Sequence, residues 1–406
     1  MISSVKWLIC AGGTGGGVYP ALAVLQALND EANPLREAYQ MKAQTSFPPS
    51  QQIATLWVGG IGGMEAQIVR RHGVPYAEIP AAGVHGVGWK RLPLNLLQIW
   101  RGILASRALL SRFQPQVVFL TGGYLAFPMA IAARYTLPKS KRPKIVLYVP
   151  DIEPALALKM VSRFADRINV TAPESRGYFP PRSPITVSGY PIRTEHYLWA
   201  TLPARKEKAC QLFQLNPRDP VLLVFGGSKG ARSINRALMR VLPQLLQFTQ
   251  VIHISGHLDW QEVHRFQNQL EVQLPKEQFR RYRAFPYLHE EMSAAFAASD
   301  LAVCRAGASV LGELPLFGLP AILVPYPYAW RYQRVNAEYL AQKRAAQILE
   351  DNELSTKLLS EIQALLGTPS RLAEMRQALQ SLAQPFGAFA IAESILHAAA
   401  ESRGSE

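Results

Sequence analysis

The chain has 406 residues, enough for two ordinary domains, and its 49% hydrophobic and 18% charged composition, free of low-complexity tracts, excludes a disordered or fibrous protein. Cys10, Cys210 and Cys304 lie far apart, which excludes a disulfide framework and a cysteine metal site and fits a reducing cytoplasm. The net charge of +14 is uneven: residues 1–188 carry 20 Lys and Arg against 9 Asp and Glu, whereas residues 189–406 carry 23 against 20. A basic first half suits an anionic partner such as nucleic acid, phospholipid or a diphosphate, and equally suits plain solubility.

In chain order, Val5 to Cys10 reads as a short apolar strand ending in a glycine cluster, and Tyr19 to Leu28 has helical spacing. The apolar run from Trp7 to Ala11 is too short for a signal-peptide core. Ala32 to Gln52, with Pro34, Pro48 and Pro49, reads as an inserted mobile loop. Further strands are expected at Ala54 to Val58, Gln116 to Leu120 and Lys144 to Val149, with helices at 63–72, 94–112 and 127–135 between them. The most apolar stretch, Phe119 to Tyr135, is broken by Gly122, Gly123 and Pro128, short of the roughly 18 continuous residues a spanning helix needs. A soluble or peripheral protein is expected.

The rhythm pauses near Gly189 to Pro191 and then repeats, with strands at Val221 to Phe225, Thr249 to Ser255, Leu301 to Cys304 and Ala321 to Val324. The expected fold is α/β: two doubly wound, Rossmann-like domains facing a cleft. The expected domains are 1–189, 190–386, and an amphipathic segment 387–406 that packs back on the first.

Each half places a glycine-rich turn between a strand and a helix: Gly12-Gly13-Thr14-Gly15-Gly16-Gly17 and Gly226-Gly227-Ser228-Lys229-Gly230. Glycine lets backbone approach a ligand, and helix N-terminal amides attract phosphate. Neither loop is G-x-G-x-x-G and neither ends in the Lys-Ser/Thr of a Walker A loop, which disfavours a dinucleotide dehydrogenase or a P-loop NTPase. No Asp-x-Asp metal anchor is present, so no metal is expected and phosphate charge falls to amides and arginines. The basic charge is scattered without a recognition motif, so no nucleic acid is expected.

The ordered motifs resemble the MurG-like N-acetylglucosaminyltransferases of glycosyltransferase family 28, a GT-B family. The resemblance rests on Ala11 to Gly16 followed by Pro20 to Ala23, on Met64-Glu65, on Gly122-Gly123-Tyr124, and on Gly189-Tyr190-Pro191-Ile192-Arg193. In the second half it rests on Gly226 to Arg232 with Asn235, on Cys304 to Ala308 with Glu313, on Gly318 to Ala321, and on Gln333 with Asn336. It implies inverting transfer of N-acetylglucosamine from UDP to the lipid-linked acceptor of peptidoglycan synthesis, lipid I, at the cytoplasmic face of the membrane. It needs no cofactor beyond the UDP-sugar.

Residue by residue, the resemblance implies that Ser228, Lys229 and Gly230 bind the UDP diphosphate with Arg193 supplying charge, and that Ala308 belongs to the same donor set. Glu313 would accept from the ribose hydroxyls, and Gln333 and Asn336 would read the sugar. Gly13, Thr14, Gly15, Gly16 and Gly17 would hold the acceptor diphosphate, beside Gly122, Gly123 and Tyr124. The bland alternative for Glu313 is a charge complementing a helix dipole; its spacing from the preceding glycines favours the ribose role.

The departures fall mainly on the acceptor side. Gly17 stands where the family has histidine, Tyr148-Val149-Pro150-Asp151 replaces His-Glu-Gln-Asn, and His85 replaces an arginine. On the donor side, Trp330 replaces an acid and Tyr332 a glutamine. Inverting transfer needs a base for the acceptor hydroxyl. Asp151 is the first choice because it follows a strand at the carboxyl end, with Glu153 and His85 behind it; as a bland alternative, Asp151 caps the next helix. The Trp89 to Leu94 turn, with Lys90 and Arg91, is expected to meet an anionic membrane surface, while Leu94 to Leu110 reads as a core-facing helix. A different glycolipid or polyprenyl acceptor, or a UDP-sugar-binding relative without activity, are the rival readings.

Overall fold

The computed structural model describes residues 5–12, 15–63, 65–82, 92–227, 230–327 and 332–403. Its contacts divide the chain into two units, Met1–Thr194 with Pro385–Glu406, and Glu195–Gln384.

The first unit is built on β1 (Val5–Cys10), β2 (Ile53–Gly60), β3 (Tyr76–Ile79), β4 (Val117–Leu120), β5 (Lys144–Val149), β6 (Arg167–Val170) and β7 (Ile185–Val187). They form one sheet in the order β3-β2-β1-β4-β5-β6-β7, every pair parallel. Alternate residues of a strand face opposite sides. Leu8, Cys10, Val118, Leu120, Ile145 and Leu147 therefore share one buried face with Met129, Leu110 and Leu158 from the helices Ala126–Tyr135, Leu92–Phe113 and Leu156–Val161. Being buried on both sides explains why these strands are apolar runs rather than alternating patterns. The other side is covered by the helices Gly15–Asn29 and Gly387–Arg403, which pack on each other; the latter also lies along β4, β5 and β6.

The second unit repeats the plan. Strands β8 (Val221–Phe225), β9 (Gln250–Ile254), β10 (Tyr282–Phe285), β11 (Leu301–Cys304), β12 (Ala321–Leu323) and β13 (Ala346–Ile348) are ordered β10-β9-β8-β11-β12-β13, again all parallel. In both sheets the winding reverses beside the first strand, between β1 and β4 and between β8 and β11. At such a switch point the loops beyond the carboxyl ends diverge and leave a crevice for a ligand.

Two expectations are corrected. Residues 32–52 are not an irregular mobile loop: Pro34–Ala43 is an α-helix, with the Asn33 side chain accepting from the Leu35 amide and Pro34 in its first turn. Leu35, Arg36 and Tyr39 are buried, Tyr39 donates to Glu393 at 2.6 Å, and its ring stacks on Phe389. An N-capping Asn before Pro is a helix-start signal, and the polar composition around it obscured that. Nor does the Leu92–Phe113 helix turn its whole apolar side inward. Gly102, Ser106 and Leu110 are buried, while Leu94, Leu96, Leu97, Trp100 and Leu104 are exposed. No helix among the described residues is long and apolar enough to cross a membrane.

Candidate functional site

In the first unit, the loops after β1 and β4 meet at the switch point. Gly122 and Gly123 have φ of +123° and +78°, and a Cβ on Gly123 would come within 2.8 Å of the Gly12 carbonyl oxygen. Only glycine combines that left-handed backbone with so close an approach. Thr121 ties the same loops together, its hydroxyl donating to the Gly17 carbonyl at 2.8 Å. The expected acceptor residues Gly15, Gly16, Gly17, Gly122, Gly123 and the exposed Tyr124 thus cluster at the carboxyl ends of β1 and β4. Gly13, Thr14, His85 and the Trp89–Arg91 turn lie outside the described residues.

Sequence reasoning gave Glu65 no role, yet it underlies this loop. It is fully buried, accepts the Gly60 amide at 2.7 Å, and its Oε1 would be 2.2 Å from a Cβ at Gly12 and 2.3 Å from one at Gly63. The glycines are therefore needed partly to admit a carboxylate beneath the loop. Only the quoted Met64-Glu65 pair hinted at this.

Asp151 lies in the bend just past β5, half-buried at the carboxyl end of its strand. It does not cap the next helix: the N-cap of Leu156–Val161 is Ala155, with no side-chain cap. Burial pushes the Tyr148 phenol well above its ordinary pKa; its bond to Thr171 opposes this, and the Asp151 charge adds to it. Glu153 follows in the same bend. Arg193, expected at the donor diphosphate, belongs to the first unit, where its guanidinium lies 5.1 Å from the Tyr19 ring centroid.

The second unit carries the other glycine turn. Gly230 donates its amide to the Gly227 carbonyl at 2.9 Å, closing a turn whose ends have φ of +83° and +81°. Ser228 and Lys229, inside it, lie outside the described residues. The helix Arg232–Leu245 starts directly after, and its N-cap, Ala231, makes no side-chain cap, a helix N-terminus of the kind that attracts an anion. Behind the turn runs a buried chain: Tyr282 and Asn235 flank His253 at 2.8 and 3.0 Å, and Asn235 donates to the Ser255 carbonyl and to Asp259. Burial drops the His253 pKa to about 3, against the pull of Asp259, so this imidazole is neutral at pH 7.

A cavity of about 860 Å³ opens beside the turn, lined by Gly226, Gly230, Arg232, Arg305, Tyr326 and Gln333 among others. Arg305 donates to Asp351 at 2.6 Å and to the Ser233 hydroxyl at 2.7 Å, joining the loop after β11 to the start of the helix Arg232–Leu245. Gln333 accepts the Tyr326 amide at 3.0 Å. Asn336, expected at the sugar, is fully buried and donates to the Ala306 carbonyl at 3.1 Å, bracing that loop. Ala308 is buried in that loop, and Glu313 sits in the first turn of the helix Val310–Phe317 with its side chain 17% exposed. Among the described residues, no group of three or more His, Cys, Asp or Glu could hold a metal ion.

Comparison with known proteins places this architecture. Residues 49–170 match the glycosyltransferase family 28 N-terminal domain and residues 221–388 its C-terminal domain. The chain belongs to glycosyltransferase family 28. Among family 28 relatives, the UDP-N-acetylglucosamine--N-acetylmuramyl-(pentapeptide) pyrophosphoryl-undecaprenol N-acetylglucosamine transferase of Roseiflexus sp. (strain RS-1) is 36% identical, over 93% of this chain and 91% of the relative. The protein of the same name from Desulforudis audaxviator is also 36% identical, over 94% and 95%. The crystal structure of MurG from Acinetobacter baumannii superposes with a TM-score of 0.68 at 23% identity, covering 97% of this chain and 99% of that one. The fold class is therefore GT-B, as the resemblance implied.

Proposed function

We propose that this family 28 protein is an inverting glycosyltransferase that moves N-acetylglucosamine from UDP-N-acetylglucosamine to undecaprenyl-pyrophosphoryl-N-acetylmuramyl-pentapeptide. The observation that carries the reading is similarity above 30% over more than nine-tenths of the chain to relatives named for that transfer. It is supported by a glycine turn at the switch point of each unit, one available for each diphosphate.

In this reading the donor diphosphate sits on the Gly226–Gly230 turn, where the N-terminal amides of the helix Arg232–Leu245 meet its charge as UDP departs. Glu313 takes the ribose hydroxyls, since a carboxylate is purely an acceptor, and Gln333 lies at the sugar end. The acceptor diphosphate lies over Gly12–Gly17 and Gly122–Tyr124. The acceptor hydroxyl oxygen attacks the anomeric carbon from the face opposite UDP. The bond to the diphosphate breaks, UDP leaves with the electron pair, and Asp151 receives the hydroxyl proton. Asp151 takes the task because position 17 is glycine.

Reaching a lipid-linked acceptor requires a membrane surface. The outward row of Leu94, Leu96, Leu97, Trp100 and Leu104, flanked by Arg101 and Arg107, has the make-up of an interfacial helix, with apolar groups to immerse and cations for anionic headgroups. The protein would then work peripherally, at the cytoplasmic face.

The test is transfer of radiolabelled N-acetylglucosamine from UDP-N-acetylglucosamine to a lipid I analogue, with purified protein and anionic vesicles. Labelled product supports the proposal. Absence of transfer with tight UDP-N-acetylglucosamine binding would move the acceptor to another glycolipid or reduce the protein to a binding role.

A further inference from the structure

We infer that His196 is a positioning residue for Glu313, holding that carboxylate in the orientation ribose recognition needs; the inference rests on the donor-site reading above. His196 lies in the helix Thr194–Thr201 and is 1% exposed. Its Nε2 is 3.4 Å from Glu313 Oε1, and its Nδ1 is 2.7 Å from the Ser293 hydroxyl. The ring is clamped by two aromatic edges, Phe296 at 5.7 Å and Phe317 at 6.1 Å between centroids, both near perpendicular. Three helices thus converge on one imidazole: its own, Met292–Ala298 carrying Ser293 and Phe296, and Val310–Phe317 carrying Glu313 and Phe317.

The chemistry fixes the direction of the contact. A carboxylate only accepts, so Nε2 carries its proton toward Glu313 whether the ring is neutral or charged. In the neutral ring Nδ1 then accepts from Ser293, and in the imidazolium it donates to the Ser293 oxygen. Either way the serine holds the ring and the ring holds one carboxylate oxygen. The part of Glu313 that remains exposed is left to face a ligand. A glutamate has three free torsions, and a partner 3.4 Å behind one oxygen narrows that freedom before the nucleotide arrives.

A general packing role for His196 would weaken every ligand alike. A positioning role acts only through what Glu313 touches. The experiment therefore pairs His196→Ala with two probes, UDP and 2′,3′-dideoxy-UDP, measured by calorimetry on the full chain. The wild-type protein should bind UDP more tightly than the dideoxy analogue. In His196→Ala, UDP affinity should fall about tenfold as Glu313 loses its 3.4 Å contact and its fixed orientation, while dideoxy-UDP binding stays within about twofold. The donor KM should rise by a similar factor with kcat at saturating donor little changed. His196→Gln, whose amide can still donate to Glu313, should recover most of the discrimination.

Equal weakening of both probes, or no weakening of either, overturns the inference. Equal binding of the two probes by the wild-type protein instead overturns the ribose role of Glu313, and the inference falls with it. Should His196→Ala not fold, Ser293→Ala releases the ring from Nδ1 while keeping its packing, and the same selective loss is expected at smaller size.

Discussion

Gly227 and Gly230 close one turn with nearly the same backbone, φ of +81° and +83°, yet alanine should cost very different amounts at the two positions. Both variants carry the left-handed strain of an L-residue, about 1–2 kcal/mol. At Gly227 nothing among the described residues lies within 4 Å of the added Cβ, so strain is the cost expected there. At Gly230 the Cβ would lie 2.2 Å from the Ser255 carbonyl oxygen, which must retreat by roughly 1 Å to reach ordinary contact. That oxygen accepts Asn235 Nδ2 at 2.9 Å, and stretching the buried bond adds about 1–3 kcal/mol. Gly230→Ala should therefore lose about 2–5 kcal/mol in urea unfolding, and Gly227→Ala about 1–2 kcal/mol. Calorimetry with UDP should follow the same order for Gly230→Ala, with affinity down about tenfold as the turn is pushed off its path. Equal stability losses in the two variants would refute the reasoning, because backbone strain alone would then explain both.

Other tests bear on the acceptor side, the membrane and the buried histidine. Asp151→Asn should lower kcat about 100-fold with donor KM nearly unchanged, and wild-type turnover would remove it from the mechanism. Since among the described residues a Cβ at Gly17 meets nothing closer than Thr121 Oγ1 at 3.4 Å, Gly17→His should fold normally and restore part of the activity lost in Asp151→Asn; a double variant no faster than Asp151→Asn would mean that position 17 cannot host a base here. Trp100→Glu, at a position 56% exposed, should leave the melting temperature unchanged but weaken flotation with anionic vesicles about tenfold, and unaltered flotation would rule out this helix as the contact. The His253 pKa is about 3 folded against about 6.5 unfolded, so its contribution is complete above pH 6.5 and is lost as pH falls toward 3. Between pH 6.5 and 4.5 the stability of the wild-type protein should fall relative to His253→Gln by up to about 1.4 kcal/mol per pH unit, and parallel urea midpoints would exclude the effect.

The glycine turns and central strands were readable because their signals are local: an apolar run, a turn, then helical spacing, all within some twenty residues. β3, β6, β7, β10 and β13 escaped notice because they are short strands at or next to the sheet edges, three or four residues long, several only half-buried. The Pro34–Ala43 helix escaped because its stabilising partners, Glu393, Phe386 and Phe389, lie some 350 residues away. Among the site residues, the burial of Asn336 and its bond to the Ala306 carbonyl were not legible, because sequence shows residue type and not burial. His196 drew no attention for a similar reason: Ser293 and Glu313 reach it only through the fold. Asp151 shows the converse, since the capping alternative that sequence left open was decided by where the helix actually begins.

The helix Gly387–Arg403 buries Phe389, Ile391, Ala392 and Ile395 in the first unit and lies along strands made more than two hundred residues earlier. During synthesis the N-terminal sheet therefore emerges with one side only partly covered, by the helix Gly15–Asn29, and must wait, through translation of the whole second unit, for the rest of its cover. Over that interval, apolar strand faces meant for this helix are open to chaperones or to misassembly. The second unit, continuous in sequence from 195 to 384, is under no such delay and can complete its fold first.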